Sequence, residues 1–117
     1  MEALPVLRTD LITRVQPPTA LFATSDYIAV GVLDVLRARA LDVPDYMSIV
    51  GFDDMEFASL LMPPITTVRQ SAAELGRTGV ALLIAMLTGQ AVAPPTVQRL
   101  PVKLIERASV GPPRSGS

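Results

Sequence analysis

The chain has 117 residues, of which half are hydrophobic, and carries a formal net charge of −1 with no histidine and no cysteine. This length fits one domain or part of one, and the missing residue types exclude disulfides, zinc sites of the usual His/Cys type, and catalysis by Ser-His-Asp or Cys-His groups. The ten lysines and arginines are scattered, so the chain lacks the clustered positive charge with which proteins bind nucleic acid.

The N-terminal segment, residues 1–16, has only weak periodicity, and we leave it without an assigned structure. Acidic and basic residues interrupt its apolar runs, so it does not fit a signal peptide. The longest apolar run of the chain, residues 80–87, is far shorter than the roughly 20 residues that a membrane-spanning helix needs.

The first predicted strand covers residues 20–23 (ALFA), a short continuous apolar run typical of a buried parallel strand. Ser25 and Asp26 follow, and both residue types are favoured at helix N-caps. Apolar residues then recur at three- and four-residue intervals, which predicts an amphipathic helix over about residues 27–40. The apolar positions are Ile28, Ala29, Val32, Leu33, Leu36 and Ala40.

The remaining pattern predicts three more strands, at residues 48–52, 65–69 and 100–105, and a second helix at residues 71–87 that stops at Gly89. Residues 55–61 are mixed and favour a single helical turn. The core candidates of the second helix are Leu75, Val80, Leu83, Ile84 and Leu87.

The resulting order, β-α-β-β-α-β with mostly apolar strands, predicts an α/β fold with a partial doubly wound, Rossmann-like parallel sheet. We assign residues 17–110 to one subdomain that includes the second helix. The last residues, 111–117 (GPPRSGS), are predicted to form a disordered tail.

Two strands of the predicted sheet end in polar corners that contain acidic residues. Ser25, Asp26 and Tyr27 follow the first strand, and Asp53 and Asp54 follow the second. Small ligands bind at the carboxyl ends of the strands of open α/β sheets. We therefore expect these corners to form one wall of a ligand site, with Asp53 accepting hydrogen bonds from ligand hydroxyls or amines.

Each candidate residue also has a purely structural interpretation. Ser25 and Asp26 are good helix N-caps, Asp53 could cap the turn that follows, and Tyr27 could pack on the domain surface instead of offering its ring or hydroxyl to a ligand. For Asp54 we favour a turn-capping role.

The sequence contains no motif that is typical of a metal or cofactor site. Asp53, Asp54 and Glu56 lack the alternate spacing of a calcium loop. There is also no glycine-rich phosphate loop and no nucleophile elbow. We therefore expect no metal, no cofactor and no catalytic activity.

Several stretches, in this order and at natural spacing, resemble the C-terminal part of bacterial transcription repressors of the lactose-repressor (LacI) family. They are PTALFATSD followed by AVGVL, VPDYMSIVGFDD from Val43, PPITTVRQ from Pro63, LGRTGV from Leu75, and LPVKLIER from Leu100. Sugar-binding periplasmic proteins share the fold, but PPITTVRQ and LPVKLIER are more typical of the repressors.

The resemblance implies the C-terminal subdomain of a periplasmic-binding-protein-like effector domain, in a cytoplasmic protein that binds DNA only through a domain missing from this chain. It implies that Asp53 bonds the hydroxyls of a sugar or nucleoside effector. Ser25 falls where the family often has a polar contact, Asp26 is the family's usual acid, and Ala72 replaces an aromatic contact found in some members.

The resemblance also implies a homo-oligomer with a two-fold interface. Its expected positions are Val35 on the first helix and Phe57, Leu60, Leu61 and Met62 in the segment after the second strand. The second helix is expected in the other subdomain, with the chain crossing over after Gln70. Since its residues 80–87 are apolar all round, we expect a partner to cover it, and we favour a neighbouring chain.

A second functional class stays open beside the repressor, namely a sugar-binding module of a periplasmic, transport-type binding protein. A signal sequence in the full-length gene would favour the transport module, and a helix-turn-helix with a basic hinge would favour the repressor. An enzyme ranks behind both because no catalytic constellation is present.

Overall fold

The computed structural model describes residues 16–90 and 97–115, and the predicted order of elements is confirmed within them. All of the unassigned N-terminal segment except Gln16 lies outside the described residues. The elements are β1 Ala20–Phe22, α1 Asp26–Ala38, β2 Ser48–Phe52, a 3₁₀ helix Glu56–Leu60, β3 Thr66–Gln70, α2 Ala72–Leu87 and β4 Val102–Ile105.

The chain divides into two compact units. The first unit is Met1–Arg69 together with Leu104–Ser117, and the second unit is Gln70–Lys103. The second unit thus begins at the residue after which the sequence predicted a crossover. All candidate ligand residues fall in the first unit.

A four-stranded sheet has the order β1-β2-β3-β4. β1 pairs in parallel with β2, and β2 pairs in parallel with β3, with Ala20 opposite Ser48 and Val50 opposite Thr66. Because these three strands run in the same direction, their carboxyl ends meet at one edge of the sheet. The predicted parallel α/β architecture is confirmed for these strands.

The core of the first unit lies between α1 and the sheet. α1 buries one face, as its three-to-four periodicity predicts, and the strands and their flanks supply the facing apolar side chains. The buried hydrophobic residues are Ala23, Ala29, Val32, Leu33, Leu36, Met47, Ile49, Ala58 and Ile65.

α2 has no buried residue, so the predicted core role of its apolar side chains is wrong within this chain. The physical reason is that the described part of the second unit contains this helix and short flanking segments, and no second layer that could cover it. The prediction that a neighbouring chain covers α2 stays a prediction. The exposed fractions of Leu75, Val80, Leu83, Ile84 and Leu87 range from 43% to 76%.

The C-terminal segment corrects the predicted disordered tail as far as Arg114. Gly111 exchanges two hydrogen bonds with the Ser48 hydroxyl, each 3.0 Å long. The Arg114 guanidinium donates to the carbonyl oxygens of Tyr46 at 2.6 Å and Pro17 at 2.9 Å, and it lies 4.3 Å from the centre of the Tyr46 ring. These contacts tie the end of the chain to the amino end of the sheet, which composition alone does not indicate.

Candidate ligand site at the carboxyl edge of the sheet

The corner after β2 contains two consecutive residues with positive φ, +101° at Asp53 and +55° at Asp54. Non-glycine residues seldom adopt such angles, although aspartate does so more often than most. Strained backbone of this kind costs of order 1–3 kcal/mol per residue and is concentrated at functional sites. The N–H of Asp53 donates to the Val68 carbonyl at 2.8 Å, so the ladder between β2 and β3 continues into this corner.

Asp54 forms two ion pairs, which replace the turn-capping role predicted for its side chain. One carboxylate oxygen lies 2.8 Å from Arg69 and the other lies 2.7 Å from Arg107. Burial acts to raise the pKa of Asp54, but the hydrogen bonds and charges of Arg107 and Arg69 outweigh burial and hold the pKa below its ordinary value. These pairs therefore stabilise the fold above the unfolded-state pKa and lose that effect as pH falls through the lowered folded value.

Asp26 is fully buried, and both of its carboxylate oxygens accept hydrogen bonds inside the protein. One oxygen accepts from the Met55 N–H at 2.7 Å and the other from the Thr67 hydroxyl at 2.8 Å. A carboxylate with no exposed surface cannot contact a ligand, so we assign Asp26 a structural role in place of the predicted contact. Its bond to Met55 joins the corner after β1 to the corner after β2.

Ser25 and Tyr27 flank Asp26 at the start of α1. Ser25 is the N-cap, and its hydroxyl accepts a hydrogen bond from the Tyr27 N–H at 3.2 Å. The Tyr27 side chain is largely exposed, and its ring centre lies 5.0 Å from that of Phe57 at an angle of 55°. Tyr27 therefore leaves surface available for a ligand, while Ser25 already performs the capping role that its position favours.

Sequence reasoning missed three residues that hold this edge together. Gly51 brings β2 so close to Asp26 that a Cβ atom at this glycine would collide with the carboxylate. Thr67 bonds Asp26, and Arg107 bonds Asp54. These partners are distant in sequence, 41 residues for the Thr67 bond and 53 for the Arg107 bond. No local pattern points to such pairs.

A groove of about 330 Å³ lies at the other end of α1, away from Ser25, and we do not assign the ligand to it. The helix extends about 20 Å at 1.5 Å per residue, which separates the groove from the candidate corners. The groove is lined by Leu33, Leu36, Arg37, Ala40, Leu41, Asp42, Val43, Met62 and Pro63.

Residues 16–90 and 97–115 contain neither a cluster of metal-binding side chains nor a helix that could span a membrane. No three acidic side chains in these ranges converge on a point where a metal ion could bind. No helix in them is long and apolar enough to cross a membrane.

Comparison with known proteins identifies the family. Residues 2–110 match the sequence profile of the periplasmic binding protein-like domain. The chain belongs to this family. The match covers both candidate corners.

Within the family, the chain is similar to repressors. It is 42% identical over 93 residues to a probable opine utilization operon repressor of Rhizobium rhizogenes, which covers 80% of this chain and 47% of the relative. The chain therefore spans about half the length of this curated relative. The resemblance to LacI-family repressors that the sequence motifs carry is confirmed.

Solved structures agree with this placement. A LacI family transcriptional regulator from Bifidobacterium animalis subsp. lactis has a TM-score of 0.86 and 28% identity, with 96% of this chain and 41% of that chain covered. A LacI family transcriptional regulator from Enterococcus faecium with bound ribose has a TM-score of 0.76 and 27% identity, with 95% of this chain and 40% of that chain covered.

Proposed function

We propose that this chain is the effector-binding and dimerisation portion of a bacterial LacI-type transcription repressor. Its effector would be a small polyhydroxylated molecule, a sugar or a nucleoside. DNA would be bound by a part of the protein outside this chain, and the repressor would act in the cytoplasm without catalysing a reaction. The observation that carries the proposal is the strained, acid-bearing corner at Asp53, which lies at the carboxyl edge of the sheet. Its support is that the chain has the periplasmic binding protein-like domain and is 42% identical to a probable repressor.

The chemistry of this corner suits a ligand with several hydroxyl groups. A carboxylate accepts hydrogen bonds and donates none, and a bond to a charged group contributes about 1.5–3 kcal/mol. We propose that Asp53 supplies this bond, that the exposed ring of Tyr27 offers an apolar face for a sugar ring or a base, and that the Ser25 hydroxyl adds a weaker polar contact.

The alternative, a transport-type binding module, would use the same corner. The curated relative with 42% identity is a probable repressor, which favours the repressor over the transport module.

To test the proposal, the full-length protein is titrated with ribose, sucrose, cellobiose, adenosine and cytidine while thermal stabilisation is measured. Operator release is then followed with the compound that binds. Binding without any effect on DNA occupancy would favour the transport module.

We expect Asp53→Asn to weaken ligand affinity by about 10–100-fold in the full-length protein, as measured by isothermal titration calorimetry. Asparagine keeps the size of the side chain and tolerates positive φ. The change therefore removes the charged acceptor and leaves the backbone of the corner intact. Asp45→Asn, an exposed site in a turn of the first unit, is the matched control and should bind as the parent does.

Circular dichroism decides between the two roles of Asp53. Unchanged affinity in a folded Asp53→Asn protein would remove this residue from the ligand site. A loss of fold would make it a structural residue of the corner.

We further propose that the chain self-associates through the segment after β2. Leu60 and Met62 are 80% and 76% exposed, although both are large and apolar. Val35 and Phe57 are half-buried and border solvent, while Leu61 packs against the core and is less suited to a test because its replacement would also weaken the fold.

We expect Leu60→Asp and Met62→Asp each to shift the protein toward the monomer in size-exclusion chromatography with light scattering. A carboxylate placed in an apolar interface leaves a desolvated charge without a partner. Val110→Asp replaces a half-exposed valine elsewhere in the first unit and serves as the control. If neither variant changes the oligomeric mass, or if all three change it equally, this surface is not the interface.

A further inference from the structure

Asp54 lies at the centre of a charged cluster that the proposed ligand chemistry does not use. One of its carboxylate oxygens accepts from Nε of Arg69 at 2.8 Å, and the other accepts from a terminal nitrogen of Arg107 at 2.7 Å. Its backbone N–H points to the Thr67 hydroxyl at 3.3 Å. The Asp54 side chain is only 8% exposed, so this carboxylate is held among its partners and away from bulk water.

The two arginines contribute unequally. Arg107 is 17% exposed, and it is fixed by two further bonds, from its guanidinium to the Ile65 carbonyl and from its N–H to the Thr66 hydroxyl, each 2.9 Å long. Arg69 is 53% exposed. Exposed ion pairs are screened and contribute little, so Arg107 is the partner that holds Asp54 in place.

This cluster acts on the backbone that carries Asp53. Strained residues persist only when the surrounding structure over-determines them, and each of three consecutive residues here is tied to a different part of the first unit. Asp53 is tied by its N–H to Val68, Asp54 by its carboxylate to Arg107, and Met55 by its N–H to Asp26. Within the positive-φ pair, the Asp54 carboxylate supplies a side-chain tie, through its bonds to Arg107 and Arg69.

We infer that Asp54 is a positioning residue, whose pairing with Arg107, and more weakly with Arg69, holds the corner after β2 in the conformation that presents Asp53 to the ligand. The inference deepens the proposed function and rests on the ligand role proposed there for Asp53. Its consequence is pre-organisation. Without the cluster, the corner would also adopt backbone conformations that lack the positive φ angles. Ligand affinity would then be weakened by the free energy needed to restore those angles on binding.

The first test needs no ligand. Amide hydrogen exchange is measured in the full-length protein and in Asp54→Asn, a change that keeps the shape and the tolerance of positive φ while removing the charge. We expect exchange at Asp53, Asp54 and Met55 to become at least about 10-fold faster. The Ile49 amide, which bonds the Ser109 carbonyl within the same unit, should exchange as before.

The arginine variants sharpen this test. Arg107→Gln should reproduce the Asp54→Asn effect, Arg107→Lys should restore part of the protection, and Arg69→Gln should have a much smaller effect. Unchanged exchange at the corner in Asp54→Asn would overturn the inference. Equal acceleration at Ile49 would also overturn it, since that result indicates a general loss of stability.

The second test uses whichever compound of the sugar and nucleoside panel binds the parent protein. Asp54→Asn should weaken its affinity about 10-fold, and Asp45→Asn should not. If no compound binds the parent, the proposed function fails while the exchange measurement still decides the role of Asp54 in holding the corner. If a compound binds the parent and Asp54→Asn equally well, the positioning role is wrong although the proposed function stands.

Discussion

Replacing Gly51 with alanine is expected to destabilise the first unit by about 3 kcal/mol, the upper range of overpacking in a protein core. A Cβ atom here would collide with the Asp26 carboxylate and would also meet the Ile65 side chain at 3.3 Å. The carboxylate cannot withdraw cheaply because it is buried and bonded to Met55 and Thr67. Urea unfolding followed by circular dichroism measures the change.

Gly76→Ala is the matched control, because it adds the same methyl group where the structure leaves room. Gly76 lies within α2, and a Cβ atom there meets nothing within 4 Å. Alanine is favoured over glycine inside a helix, so this variant should be stabilised by about 0.5–1 kcal/mol. If Gly51→Ala unfolded at the urea concentration of the parent, the close approach of β2 to Asp26 would not constrain the sequence.

The elements of this fold were predictable because their signals are local. The apolar positions of α1 recur at helical spacing, and the helix buries the face that carries them. Ser25 is the N-cap of α1. This role is favoured for serine because its hydroxyl oxygen can accept a hydrogen bond from a backbone N–H of the first turn that has no partner within the helix. The parallel pairing of neighbouring strands could be expected from the order of the elements, because continuously apolar strands are typical of parallel sheets.

The contacts that shape the candidate site were not predictable in this way. Asp26, Asp53 and Asp54 all follow strand ends and carry the same functional group, so the sequence offered each of them both a ligand contact and a capping role. The structure separates them through distant partners, a threonine 41 residues away for Asp26 and an arginine 53 residues away for Asp54. Only Asp53 retains the role that its position predicts, and that role stays a proposal.

α2 shows a different limit of sequence reasoning. Its residues 80–87 are apolar on every side, which indicates burial, and burying a large side chain stabilises by about 1.5–3 kcal/mol. The periodicity gives no information about which surface supplies the cover. Since the chain spans 41% of the length of a solved relative, the covering surface need not belong to these 117 residues.

Asp26→Ala is expected to cost about 3 kcal/mol of unfolding free energy. The change removes an acidic residue from the first turn of α1, where it interacts favourably with the helix dipole. It also leaves the Met55 N–H and the Thr67 hydroxyl without their acceptor, and an unsatisfied buried donor costs about 1–3 kcal/mol. Asp34→Ala, an exposed aspartate on the same helix, should stay within about 0.5 kcal/mol of the parent.

The double variant Gly51→Ala/Asp26→Ala tests whether the two costs have one origin. If the carboxylate is what a Cβ atom at position 51 meets, its removal takes away the closest collision and leaves only the contact with Ile65 at 3.3 Å. The cost of Gly51→Ala should then fall to less than half of its value in the parent background, and the two effects should not add. Additive losses would show that Gly51 is constrained by something other than Asp26. The structural role assigned to this buried carboxylate would then reduce to its two hydrogen bonds.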